Sequence, residues 1–154
     1  MESLVFRKLA IGDIDLLGNW LKKSYVKKFW VEHEILLSDV RDNLTCSDWI
    51  NYFIVEHGQP IGFVQYFETY ISPVGSFNPS VSESVGIDFM IGEESFLNKG
   101  LGFLIVEELV EMIKAIGKYK YIVSEVCPKC IFSTKVLVKN GFKPFQNGIY
   151  ALEL

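Results

Sequence analysis

Three cysteines in 154 residues (Cys46, Cys127 and Cys130) are too few, and odd in number, for a disulfide framework. Reduced thiols in a cytosol are the simplest reading. No run of lysine and arginine interrupts the chain, and the formal net charge is −4 with a pI of about 5.2. That balance excludes a nucleic-acid partner and suits a cationic one. No apolar stretch reaches the length that crosses a bilayer, and Met1-Glu2-Ser3 lacks a signal-peptide pattern. The expectation is a cytoplasmic protein with no membrane partner. What is abundant is apolar: hydrophobic residues make up 49% and aromatics 14%, which argues against disorder and fills one core. The length is that of one domain, expected over residues 1–154, with no internal repeat.

Periodicity and punctuation order the chain. Residues 4–9 read as a strand, stopped by Gly12-Asp13, with Asp13 as N-cap of a helix to about Leu21 whose apolar face carries Ile14, Leu17, Trp20 and Leu21. Residues 24–36 read as a short helix and a loop, and Ser38 as the cap of another short helix through about Leu44. Residues 52–56 and 61–69 form a hairpin around His57-Gly58-Gln59-Pro60. Residues 71–84 read as a long loop, a class often functional. A strand over 85–91 follows. The next helix, from about Gly100 to Ile116, buries Leu101, Leu104, Ile105, Leu109, Met112, Ile113 and Ile116, with Gly117 as its C′ residue. A strand at 121–126, a helix over Ile131–Lys139 and two short strands around Asn147-Gly148 complete the order β-α-α-β-β-β-α-β-α-β-β. An antiparallel meander thus precedes one parallel crossover, from 85–91 through the helix to 121–126, of right-handed sense.

The most informative stretch is Val85-Gly86-Ile87-Asp88-Phe89-Met90-Ile91-Gly92, then Leu97-Asn98-Lys99-Gly100-Leu101-Gly102, then the long helix. An extended apolar run feeds a loop with two glycines, and the loop opens a helix. Orphan N–H donors and the helix dipole both favour an anion there, and glycine lets the backbone approach a phosphate closely. The plainer reading is that Gly100 and Gly102 only allow close helix packing. A Rossmann fingerprint needs three glycines after the first strand of a repeated βαβ unit, and a Walker loop needs G-x-x-x-x-G-K-[ST]; neither is present.

The element order and this loop together resemble the GNAT superfamily of acetyl-coenzyme A-dependent N-acetyltransferases. The signature [QR]-x-x-G-x-[GA] falls on residues 97–102, where Leu97 replaces the usual Gln or Arg. Gly86-Ile87-Asp88, Ser124-Glu125 and Asn140-Gly141-Phe142 look like the corresponding segments of the aminoglycoside 6′-N-acetyltransferases, as do residues 16–21, Trp30 and residues 60–65. The resemblance implies an α/β (α+β type) fold: a mixed, mostly antiparallel sheet with helices on both faces and one splayed parallel strand pair. It implies acetyl-coenzyme A as cofactor, its pyrophosphate on the amides of Asn98, Lys99, Gly100, Leu101, Gly102 and Phe103. The pantetheine arm would pair with the main chain of Phe89, Met90 and Ile91 like an added strand, entering where strands 85–91 and 121–126 splay at a bulge. A backbone N–H near Met90 or Ile91 would meet the oxyanion.

Acyl transfer to an amine needs a neutral nucleophile, a stabilised oxyanion and a tolerated thiolate. Strand alternation puts Asp88 on one face with Gly86 and Met90, and Ile87 with Phe89 on the other. A carboxylate in so apolar a strand is paired, functional or solvated. The resemblance makes Asp88 the contact, and base, for the acceptor amine. Glu125 is either a second anchor for a cationic acceptor or an exposed strand-end charge, and two neighbouring carboxylates would raise one another's pKa. Trp30 and Glu32 match the substrate-side loops of the family. The tyrosine found near the thiol sulfur in many members is Leu137 here, and the usual Asn at that helix start is Cys130. Only Glu83 is acidic in the 71–84 loop, where the drug-binding enzymes carry several acids. The chain is therefore expected to acetylate a primary amine of a small cationic molecule, with an aminoglycoside among the candidates. A protein or siderophore-type amine, or a non-catalytic acyl-coenzyme A-binding module, stands beside it. Cys127-Pro128-Lys129-Cys130 suggests a thioredoxin-like pair by its place between strand and helix, or a zinc site with Cys46, His33 and His57; packing is the bland account, and no metal is expected. A monomer or a homodimer is expected.

Overall fold

The computed structural model describes residues 4–30, 33–69, 83–146 and 148–154. Its elements are β1 (Val5–Lys8), α1 (Ile14–Leu21), α2 (Ser24–Lys27), α3 (His33–Asp42), β2 (Trp49–Glu56), β3 (Gln59–Thr69), β4 (Ser84–Ile91), α4 (Leu101–Ile116), β5 (Tyr121–Glu125), α5 (Ile131–Lys139), β6 (Lys143–Gln146) and β7 (Ile149–Glu153). The strands form one sheet in the order β1-β2-β3-β4-β5-β7-β6, mostly antiparallel, with β4 and β5 the parallel pair. The mixed α/β architecture expected from the element order is the one observed. Two compact units divide the chain: Met1–Gln65 with Phe89–Lys99, and Tyr66–Asp88 with Gly100–Leu154.

In the first unit β1 and β2 pair antiparallel from Val5↔Val55 to Lys8↔Tyr52. His57 and Gly58, with φ of 50° and 78°, make the two-residue turn between β2 and β3 whose left-handed residues match the strand twist. The core gathers Leu17, Trp20, Leu21, Val26, Val40, Phe53, Phe63 and Met90. Each such side chain contributes about 1.5–3 kcal/mol by leaving water. Trp20 is fully buried, its ring 5.0 Å from that of Phe53. A Cβ on Gly92 would lie 2.1 Å from the Trp20 indole, so only glycine fits at that position.

Three sequence expectations shift here. Asp13 stands at the N-cap position of α1 as expected but makes no cap hydrogen bond; its carboxylate accepts from Ala10 N at 2.9 Å and from Arg7 Nη1 and Nη2. A charged fork outcompetes a lone capping contact. Ser38 is not a cap but lies inside α3, which runs from at least His33 because Leu36, Leu37 and Val40 pack on the core. β2 opens at Trp49, three residues early, where Asn51 O accepts from Leu9 N and Trp49 Nε1 donates to Gln65 Oε1.

In the second unit β5 pairs antiparallel with β7 from Tyr121↔Glu153 to Glu125↔Ile149. α4 buries Leu101, Ile105, Val106, Leu109, Val110 and Ile113 and ends at Gly117 with φ 70°. Ile116, expected inside, is exposed: the buried stripe repeats every four residues and turns away before the last turn. α5 packs on α4, and a Cβ on Gly102 would stand 3.1 Å from Val136 Cγ2. β6 and β7 meet around Gly148, at φ 77°, with a register shift between Pro144 and Gln146. Asn147 lies outside the described residues, as does 70–82, which holds nearly all of the expected long loop.

Candidate functional site

The chain leaving β4 is held in place before it turns. Gly92 N and Glu93 N both donate to Ile61 O, at 2.8 and 3.1 Å. Lys23 Nζ donates to Gly92 O at 2.8 Å, the Tyr25 hydroxyl donates to the same carbonyl, and Trp20 Nε1 donates to Glu93 Oε1 at 2.7 Å. Burial raises the Tyr25 pKa, and the Glu93 and Glu94 charges raise it further, so the hydroxyl keeps the proton it donates. Sequence reasoning missed this clamp, because its partners stand some 70 positions apart and no local pattern links them.

Beyond the clamp the backbone is unusual. Leu97 is extended, Asn98 is left-handed at φ 58°, Gly100 is left-handed at φ 76°, and α4 begins at Leu101. Asn tolerates this region better than most residues, and Gly enters it without steric cost. A left-handed residue followed by a right-handed one turns successive N–H groups toward one concavity, a backbone anion nest. Gly100 is the N-cap of α4, no side chain caps that end, and the first turn holds no acid. The first N–H groups of α4 thus have no intrahelical acceptor and no negative neighbour in their own turn. A Cβ added to Gly100 would meet nothing within 4 Å, so the backbone there faces open space.

The parallel pair forks inside the second unit. β4 and β5 are in register at Ser84↔Tyr121, Val85↔Ile122 and Gly86↔Val123, and there the ladder stops. At the next level Ser124, buried, donates its hydroxyl to Ile87 O at 3.2 Å, while the Ser124 and Glu125 positions pair with Tyr150 and Ile149 of β7. A side chain has replaced the missing rung. Asp88 on β4 and Glu125 on β5 both follow the last paired level, past the point where the ladder ends. Asp88 is half-buried and Glu125 exposed. The two carboxylates singled out in the sequence therefore both belong to the unpaired ends of the forked strands. Ser124 went unnoticed, since a buried serine in a strand carries no signal until its partner is known.

The remaining candidates lie as follows. Phe89 and Ile91 are half-buried and Met90 is buried in the first unit's core. Trp30 is partly buried against that core, and Glu32 lies outside the described residues. Leu137 is completely buried, so no proton donor stands at its position. Cys46, Cys127 and Cys130 are free, half-buried thiols; Cys130 N donates to Cys127 O at 2.8 Å and its Sγ is 2.9 Å from Ser133 Oγ. Among the described residues no group of His, Cys, Asp and Glu is arranged to hold a metal, and no helix is long and apolar enough to cross a membrane.

Comparison with known proteins bears on this arrangement. Residues 11–148 match the acetyltransferase (GNAT) domain family. The aminoglycoside N(6')-acetyltransferase type 1 of Klebsiella pneumoniae is 27% identical over 150 residues, covering 92% of this chain and 75% of that protein. The fold is similar to that of the aminoglycoside acetyltransferase AAC(6')-Ib crystallised with coenzyme A, with a TM-score of 0.81 at 23% identity over 98% of this chain and 95% of that one. It is also similar to a spermidine N-acetyltransferase from Vibrio cholerae in complex with coenzyme A and spermine, with a TM-score of 0.76 at 15% identity over 99% and 96% of the two chains.

Proposed function

The chain belongs to the GNAT family of acetyltransferases, an N-acetyltransferase with acetyl-coenzyme A as donor, and from that premise we propose that residues 1–154 form one domain moving the acetyl group to a primary amine of a small cationic molecule. The observation that carries this reading is the uncapped, acid-free first turn of α4, entered through left-handed Gly100. Segment 98–103 fits a diphosphate: neutral main-chain donors, a favourable dipole, and no Cβ at Gly100 to obstruct approach. When bound, acetyl-coenzyme A supplies a thioester that an amine can attack. The main chain of Phe89, Met90 and Ile91 aligns the arm, and an N–H near Met90 or Ile91 faces the developing oxyanion. Asp88 takes the proton that makes the acceptor nitrogen nucleophilic and Glu125 attracts the cationic body of the acceptor, while Trp30 and Glu32 enter as substrate-side residues from the family resemblance alone. Leu137, in the core, offers no proton, so this position would leave protonation of a thiolate leaving group to solvent, which the acidity of a thiol allows.

The names of the relatives support an aminoglycoside or polyamine as acceptor. The test is steady-state thiol release from acetyl-coenzyme A across a panel holding an aminoglycoside with a free 6′-amine, a polyamine, a peptide with a free N-terminus and a siderophore-type amine. Turnover is expected on the small polycations. Turnover on the peptide alone would overturn the acceptor class, and coenzyme A binding with no turnover on any amine would favour the non-catalytic module that Leu137 suggests.

A further inference from the structure

Lysine gathers without acid in two stretches of this acidic chain, residues 16–31 with Lys22, Lys23, Lys27 and Lys28, and residues 126–152. Residues 126–152 hold four lysines, Lys129, Lys135, Lys139 and Lys143, and no acidic residue, against a net charge of −4 for the whole. All four are exposed, and among the described residues none of them lies in an ion pair. Lys135 and Lys139 stand four apart on α5, an arrangement in which like charges repel with no acid between them to offset it.

The end of α5 that bears Lys139 rests on the first turn of α4. Gly102 faces Val136, Asn140 Nδ2 donates to Phe103 O at 3.3 Å, and Lys139 Nζ lies 4.5 Å from the centre of the Phe103 ring. Lys139 is therefore a full, solvent-accessible cation beside the first turn of α4, whose own donors are neutral amides; the other exposed lysine of this stretch, Lys99 in the preceding loop, has its Nζ 5.0 Å from the centre of the Phe96 ring. Resting on the reading of that turn as the diphosphate site, we infer that Lys139 recognises the ribose 3′-phosphate of coenzyme A and makes the enzyme select coenzyme A over its dephospho form. The two phosphate groups differ in what they need. A diphosphate bridged on both sides is satisfied by converging N–H groups and a dipole. A terminal phosphomonoester carries nearly two charges, and an ammonium on a long stem meets it at the solvent boundary. Lys135, one turn back on the same helix face, adds to the field without a contact of its own. The plain alternative is that Lys139 only complements the C-terminal end of the α5 dipole, where it is the basic residue of the last turn.

The experiment measures dissociation constants of coenzyme A and dephospho-coenzyme A by calorimetry on the full chain. The unaltered protein should prefer coenzyme A, and K139M, which keeps the packing on Phe103, should shrink that preference by about threefold to tenfold, the range for one accessible charge-assisted contact. K139R should keep the preference, and K143M should leave the ratio unchanged. Raising salt should erode the preference of the unaltered protein, because exposed charges are screened over about 10 Å at 0.1 M. Equal weakening of both ligands in K139M would overturn the 3′-phosphate assignment, as would an equal loss of preference in K143M or a purely structural effect seen only as a lower melting temperature. Failure of the unaltered protein to bind coenzyme A at all would overturn the diphosphate reading and this inference together, whereas binding with an unaltered ratio in K139M overturns this inference alone.

Discussion

Gly100 and Gly102 stand two residues apart and serve different ends. Gly100 is left-handed with open space before its missing Cβ; Gly102 has ordinary helical neighbours and Val136 pressed close. Helix packing is thus the reason for Gly102, while Gly100 keeps the backbone and the open space that the proposed anion cradle needs. Gly100→Val should cost about 1–2 kcal/mol of backbone strain and weaken coenzyme A binding more than tenfold, read by calorimetry beside a urea titration. Retained affinity would refute the cradle. Asp88→Asn should lower kcat about a hundredfold or more, the usual contribution of a positioned base, with coenzyme A affinity nearly unchanged. An unaltered pH–rate profile in that variant would remove Asp88 as base. The types of these residues could be read from the chain; their surroundings could not, because a glycine's reason depends on what faces it.

Helices α4 and α5 and the β2–β3 hairpin were legible, since each carries its own periodicity or turn chemistry. The starts of α3 and β2 were not, because packing on Leu36, Leu37 and Val40 and the pairing of Asn51 with Leu9 extend them past the local signals. The fork between β4 and β5 belongs to this level too. Its closing rung is the Ser124 hydroxyl on Ile87 O, so Ser124→Ala should leave a buried carbonyl unpaired and cost about 1–3 kcal/mol in a denaturant titration. The same change should lower kcat/KM by loosening the level at which Asp88 stands. Ser124→Thr keeps the hydroxyl and should restore both; a threonine variant as impaired as the alanine one would deny the hydrogen bond its role.

Across the whole chain, stability at acid pH gives the Arg7–Asp13 fork a measurable sign. The Arg7 hydrogen bonds hold the Asp13 carboxyl below its ordinary value, against the opposing effect of burial. A depressed carboxylate stabilises the folded state above its unfolded pKa of about 4, and that contribution disappears as pH falls through the folded value. Asp13→Asn should therefore unfold at lower urea than the unaltered protein at pH 7, and the gap should close on acidification below pH of about 4. A gap that persists at low pH would mean the loss is one of shape rather than charge. The acidic balance of the composition concealed a lysine-only stretch, visible as a site only once α5 was seen to rest on α4.

The hydrophobic periods and the turn residues were enough for the kinds of most elements, because each depends on neighbours within about a dozen positions; the order read from them has two helices before β2 where the fold has three, and the mixed sheet and the family came from the resemblance. Where the β4–β5 ladder ends, which carbonyl the Ser124 hydroxyl closes, what holds Gly92 and where Lys139 stands had to await the folded chain. Those relations join residues tens of positions apart, and only strand register and helix packing bring them within reach of a hydrogen bond or a shared field.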